Sequence, residues 1–532
     1  MKRKYIASIY ITVLAVHILL VLFYGMQKEG FHEDEYYSFY TSAGNSNINP
    51  YGPITEKSGY DVQRQFLVTE EHRFDYNAVV YAQELDVHPP LYYLTLNTLM
   101  SFFPNRFYKW FGIGLNALYS LVSCCGVMFL ILNLDKSRYR YLLAGAAGIA
   151  YAISPAMISN VMFIRMYTMS AMWTVIYANL FVLLMRSQGC SVKKYIVLTV
   201  AGGAVCFLSF LTHYFGLLMP FFLTLGYCMN CVLKRKNILR MFLYGIAALA
   251  SIGLAVLAFP ASMDHIFRGY RGEAALQGLA GTDIFERLQY FLSVIDRNFF
   301  AGLMLPVFLL LGMALVVSLI LMRKWEKGKE DKTFMGISIY ILASGFLSTY
   351  LLTRASLMVG DASSRFFYPI GAVMIPMTVY CICKSVILLG KNLFSEQKCL
   401  LAGIAAAVIV LTPNIAGIIQ GRILFLYSEK RENVEYSQEN SQHPVVVVYG
   451  SSAREKAWYS ANELWPFDHV IYVDYMDGNY TLDNETLKNA DKVIVYMDCP
   501  ETILEDMIKQ NGKLDSYSLI RHDPFHYVYE VE

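Results

Sequence analysis

The sequence predicts a mainly α-helical, polytopic membrane bundle of about eleven spans, followed by a small α/β domain. Three observations predict it. Charged residues make up 16% of the chain and the mean hydropathy is +0.39, whereas a soluble domain carries roughly 25% charged residues. Apolar runs of about twenty residues, the length that crosses a bilayer, recur along the first four hundred positions. After residue 428 the pattern changes to short β-branched runs alternating with polar helical stretches.

The first run, Tyr5–Gly25, follows Lys2, Arg3 and Lys4, as a signal peptide would. It is long, and bulky residues rather than a small-residue cleavage pattern come next, so it reads as a retained anchor. The remaining spans fall at Phe107–Leu132, Tyr141–Phe163, Tyr167–Met185, Tyr195–Phe215, Leu217–Leu233, Met241–Phe259, Ala301–Leu321, Met335–Thr353, Phe366–Leu389 and Leu400–Ile419. The stretch His88–Pro104 is apolar too, but only about fifteen residues follow its prolines, so it is expected to lie as a helix in the outer interface.

Lysine and arginine in short loops set the orientation. With the N-terminus inside, the inner loops hold Lys136/Arg138/Arg140, Arg186/Lys193/Lys194, Lys234/Arg235/Lys236/Arg240, Arg323/Lys324/Lys327/Lys329/Lys332 and Lys384/Lys391/Lys398. The alternate loops are poor in lysine. The C-terminus is then outside, as are the first large loop (residues 26–106) and a second one (residues 260–300). The bundle is expected over 1–428 and an extracytoplasmic α/β domain over 429–532. Strands are expected in "PVVVVYGSS", "HVIYVDYMD" and "DKVIVYMDC", as a parallel sheet, with helices at Ala453–Leu464, Asn484–Ala490 and Thr502–Gln510.

Two function classes drop out. A net charge of +2 offers no field for nucleic acid. The ten cysteines lie mostly in apolar runs, and the lone Cys228–Cys231 spacing has no second pair, so neither a disulfide framework nor a zinc site is indicated.

The polar exceptions carry the chemistry. Asp34 and Glu35 stand in "FHEDEYYSFY", just after the first span, with Tyr36 and Tyr37 behind them. His88 opens the short helix that contains Tyr92. Arg165 and Tyr167 sit between the third and fourth spans, His213 at the end of the fifth, and Asp361 and Arg365 between the ninth and tenth. All fall at one predicted membrane face. Ionisable groups at that depth are costly, which makes them functional suspects. Arginine binds phosphate through a two-pronged fork, tyrosine offers flat amphipathic walls, and a carboxylate can accept a hydroxyl proton. Together they describe transfer of a sugar from a lipid phosphate.

These residues resemble the GT-C superfamily of integral-membrane glycosyltransferases, in the branch of the protein O-mannosyltransferases and lipid A aminoarabinose transferases. The likeness rests on "DEYY" at Asp34–Tyr37, "HPPL" at His88–Leu91, the helix-end Arg165, and "RFFYP" at Arg365–Pro369. The stretch "RMYTMSAMW" departs from the pattern in offering no second acid. The resemblance implies an inverting transferase. Asp34 is the catalytic base, and Arg165 and Arg365 hold the donor phosphate. Glu35 and His88 place Asp34, while Tyr36, Tyr37, Tyr92, Tyr167, His213 and Asp361 position substrate. The implied partners are a polyprenyl-phosphate-sugar donor, the membrane, and a glycan, lipid or protein acceptor. No cofactor or metal is demanded, because arginines can stand in for a cation at the phosphate. The rival readings are a transporter or flippase for lipid-linked sugars and a non-catalytic membrane sensor or scaffold. The sequence has no internal repeat to favour the transporter.

Overall fold

A computed structural model describes residues 3–46, 54–187, 191–233, 238–324, 329–393, 395–450, 456–477, 484–511, 514–522 and 526–532. The chain is a multi-pass membrane protein. Among the described residues ten helices are long and apolar enough to cross a membrane, and a bent pair makes an eleventh. It divides into two compact units, one of Met1–Gly25, Val87–Tyr92 and Gly112–Leu424, the other of Met26–Asp86, Tyr93–Phe111 and Phe425–Glu532.

The first unit is the bundle. Its central helix, Tyr368–Leu393, is 83% buried over its most apolar window, and it packs against Arg140–Ala152, Tyr167–Arg186, Met304–Lys324 and Glu396–Val410. By contrast, Ile238–Ala258 is only 11% buried, with Phe242, Leu249 and Leu257 exposed, as befits a helix facing lipid. Two expectations need correction. The span expected at Tyr141–Phe163 is two helices, Arg140–Ala152 and Pro155–Met162, bent by 51°. Pro155 starts the second helix, because a proline has no N–H for a continuing helix and clashes with the turn before it. Lys384, counted among loop charges, lies inside the central helix, buried and paired with Asp135 at 2.7 Å. Lys234–Lys236 and Lys327 lie outside the described residues.

The second unit is built on a six-stranded sheet of β1 (Ile54–Lys57), β2 (Val445–Tyr449), β3 (Val470–Asp474), β4 (Val493–Met497), β5 (Tyr517–His522) and β6 (Tyr527–Val531), in the order β1-β3-β2-β4-β6-β5. The three runs read as buried strands form its centre. They are parallel, with Val445 opposite both Val470 and Ile494. They are buried throughout because both faces are covered. The sheet is mixed rather than wholly parallel. β5 and β6 form an antiparallel hairpin at one edge, and β1 comes from the first large loop to pair antiparallel with β3 at the other. A connection of a few residues permits only the antiparallel arrangement at the hairpin. The helices expected at 484–490 and 502–510 are present at Glu485–Asn489 and Glu501–Asn511; of the one expected at 453–464, Ala461–Leu464 is helical and residues 453–455 lie outside the described residues.

Helices Glu33–Ser42, Gly59–Arg64 and Tyr76–Leu85 complete this unit. Trp458 is fully buried, with its ring 4.6 Å from Tyr40, 5.4 Å from Tyr37 and 5.4 Å from Phe66. The helix after the HPPL prolines runs only from Leu91 to Ser101, about 16 Å at 1.5 Å per residue, which is too short to cross a bilayer.

Candidate functional site

The acid pair stands on a firmly capped helix in the second unit. His32 is the N-cap of Glu33–Ser42: its Nδ1 accepts the Asp34 N–H at 3.1 Å, and the Glu35 carboxylate accepts the His32 N–H at 2.7 Å. Because Nδ1 is an acceptor, the neutral ring carries its proton on Nε2. The 3.7 Å approach of that Nδ1 to the Asp34 carboxylate is a contact, not a hydrogen bond. Glu35 is sealed. Neither it nor Lys28 has exposed side-chain surface, and the Lys28 ammonium donates to Glu35 at 3.0 Å and to the Phe425 carbonyl at 2.6 Å. Burial pushes the Lys28 ammonium below its ordinary pKa, against the opposing pull of the Glu35 carboxylate. Asp34, by contrast, keeps 15% of its side chain exposed. Of the two acids, therefore, Asp34 can meet a substrate and Glu35 braces the turn that carries it. A helix N-terminus also favours the ionised carboxylate.

The cations converge in the first unit. Asn116 donates to the Val161 and Phe163 carbonyls at 3.2 and 2.8 Å, and the Arg165 N–H donates to the Phe163 carbonyl at 2.7 Å, fixing the turn that presents Arg165. Gly112 permits this turn, because a Cβ there would fall 2.1 Å from the Ile164 side chain. Arg165 Nη2 donates to His88 Nδ1 at 3.4 Å. The His213 ring lies 6.2 Å from His88 and 5.2 Å from Tyr167. Arg365 lies over the faces of Phe163 and Phe366, at 5.8 and 5.0 Å. Arg165, Arg365 and His213 are all buried. His213 interrupts its helix, and its Nδ1 accepts the Phe215 N–H at 3.1 Å. Burial first, then the charges of His88, Arg165 and Arg365, hold its pKa well below the ordinary 6.5, so it is neutral. Two guanidiniums and two imidazoles against aromatic faces make a site suited to a phosphate.

Tyr36 and Tyr92 are completely buried, and Tyr36 donates to Asn462 at 2.7 Å, whereas Tyr37 rests on Trp458. Asp361 is held from another element. It accepts from Arg297 at 2.7 and 3.0 Å and from Asn298 at 3.2 Å. The sequence reading missed Lys28, Arg297 and the capping role of His32. Only the last had a local signal, a polar residue three before a glutamate at a helix start. Among the described residues no cluster of three His, Cys, Asp or Glu could hold a metal ion.

No family profile and no curated protein matches the chain. Solved structures do. ArnT from Cupriavidus metallidurans in the apo state superposes with a TM-score of 0.51 at 13% identity, over 98% of this chain and 97% of that one. The oligosaccharyltransferase of Archaeoglobus fulgidus in the apo form gives 0.53 at 11%, over 98% and 70%. The fold is that of the GT-C glycosyltransferases. Within this fold the Asp-Glu pair lies on the capped helix of the second unit, and HPPL contributes His88 to the cation cluster of the first.

Proposed function

We propose that the protein is an inverting glycosyltransferase that moves a sugar from a polyprenyl-phosphate donor to an acceptor hydroxyl at the extracytoplasmic membrane face. The observation that carries this reading is the division of labour in the acid pair on a GT-C fold: Asp34 is accessible, and Glu35 is locked to Lys28 beneath it. Asp34 takes the proton of the acceptor hydroxyl while its oxygen bonds to the anomeric carbon. The bond from that carbon to the phosphate oxygen breaks on the opposite face, and the electron pair leaves with the polyprenyl phosphate. Arg165 and Arg365 neutralise the charge that develops there, with His88 orienting Arg165. Phosphate is already a good leaving group, so no general acid is required. The bundle is N-terminus inside, and residues 429–532 face outside.

A general base contributes about 10²–10⁴-fold. Asp34→Asn, nearly isosteric and partly exposed, is expected to lose transfer from an undecaprenyl-phosphate sugar by that factor while its thermal unfolding is unchanged. The assay follows release of undecaprenyl phosphate by purified protein. Substantial retained turnover would remove Asp34 from the mechanism, and binding without release would favour a carrier over a transferase.

A further inference from the structure

A cavity of about 690 Å³ opens within the second unit, and none of the sequence-predicted site residues lines it. Its size is that of a site for a small organic ligand, roughly 300–1,000 Å³. One wall is aromatic: Phe31 and Phe107 meet edge to face at 5.5 Å, and Phe107 meets Trp465 at 4.7 Å. The indole N–H of Trp465 is buried and has no hydrogen-bond partner among the described residues. The other lining groups are polar and of both signs. Arg431 pairs with Glu29 at 2.6 Å, and Lys109 donates to the carbonyls of Met26 and Lys28. Asn462 donates to the Glu29 carbonyl at 3.2 Å, and Gln438 and Glu435 complete the rim.

Of the five charged side chains that line it, three are cations, Lys28, Lys109 and Arg431, and two are acids, Glu29 and Glu435; Lys28 is sealed against Glu35 behind the wall and Arg431 is paired with Glu29. With two of its three cations already held in ion pairs, the site offers an anion little, and it sets donors and acceptors side by side along an apolar wall. That combination matches a pyranose ring, whose C–H faces stack on aromatic rings and whose hydroxyls both donate and accept. The cavity also begins where membrane spans end, since Lys28 follows the first directly and Lys109 opens the second. We propose that it is a saccharide subsite holding neutral pyranose units of the acceptor, which makes the acceptor a glycan; this rests on the glycosyl-transfer reading above. The donor's lipid phosphate fits the two guanidiniums of the first unit better, since here Lys28 and Arg431 are already committed to Glu35 and Glu29.

The test uses the full-length protein in a detergent without a sugar headgroup. A panel of neutral gluco-, manno-, galacto- and N-acetylhexosamine oligosaccharides is titrated by saturation-transfer NMR, with glucose 1-phosphate and inorganic phosphate beside it. The expected result is saturable binding of at least one neutral oligosaccharide below about 10 mM, weakened roughly tenfold in Trp465→Ala and in Trp465→Phe, which keeps a ring and removes the N–H. Three results would overturn the proposal: no saturable binding of any neutral member, binding unaffected by either Trp465 change, or preference for the phosphates. Transfer surviving in Asp34→Asn while this binding holds would sink the proposed chemistry and leave the site standing. Transfer lost as expected while the panel fails to bind would sink the site alone.

Discussion

Removing the Lys28 ammonium should loosen the acid-bearing helix by an amount the structure sets. In Lys28→Met the apolar stem is kept, but Glu35 stays sealed, keeps the His32 N–H and loses its ammonium partner, and the Phe425 carbonyl loses a 2.6 Å hydrogen bond. Breaking one side of a fully buried ion pair costs about 3–5 kcal/mol, because the remaining charge is left uncompensated. For a unit of roughly 190 residues each kcal/mol moves the midpoint by about 2–4 °C, so a fall of about 6–20 °C is expected. Lys28→Met with Glu35→Gln removes both charges, and the carboxamide oxygen can still accept from His32. The double variant should therefore be at least about 2 kcal/mol more stable than the two single losses sum to. Thermal unfolding at a fixed scan rate, followed by tryptophan fluorescence, reads both quantities, since Trp458 lies in the aromatic core of the same unit. A shift below about 3 °C in Lys28→Met, or strict additivity in the double variant, would refute the claim that this pair braces the helix.

Further outcomes follow from the cation cluster and the topology. Arg165→Lys keeps the charge but loses the planar fork, so the donor KM should rise about tenfold or more; an unchanged KM would place the arginine elsewhere in the reaction. His213 has its pKa held well below 6.5 in the fold, so the unfolded chain binds the extra proton as pH falls below 6.5. Its contribution to stability is complete above that value and is lost on acidification toward the folded pKa. The unfolding midpoint should fall between pH 7 and pH 5, and His213→Gln should flatten that slope; an equally steep slope in the variant would assign the acid sensitivity to other groups. For orientation, a cysteine at Glu273 or Glu429 should react with an impermeant reagent on intact cells and one at Lys193 should not, and the reverse pattern would invert the topology. Glu273 is chosen because at its neighbour Gly272 a Cβ would fall 2.3 Å from the Ile266 carbonyl.

The sequence by itself determined what local pattern can encode. Hydropathy marked the spans, because a helix in lipid must be apolar over about twenty residues whatever its neighbours. The runs VVVVY, VIYVD and VIVYM marked the three strands buried on both faces. The residues Asp34, His88, Arg165 and Arg365 stood out because polar groups at such positions have no place in a bare bundle. Only the tertiary structure decided which of them meet. His88, Arg165, Tyr167, His213 and Arg365 are scattered over nearly three hundred residues, and no periodicity relates them. It also decided that Glu35 is sealed by Lys28, that Asp361 answers Arg297, and that residues 54–57 pair with 470–473 as the edge of a sheet. The short polar run ITEK carries no strand signal of its own. It becomes a strand because β3 presents an unpaired edge whose N–H and C=O groups need partners, and that need arises only once the chain has folded.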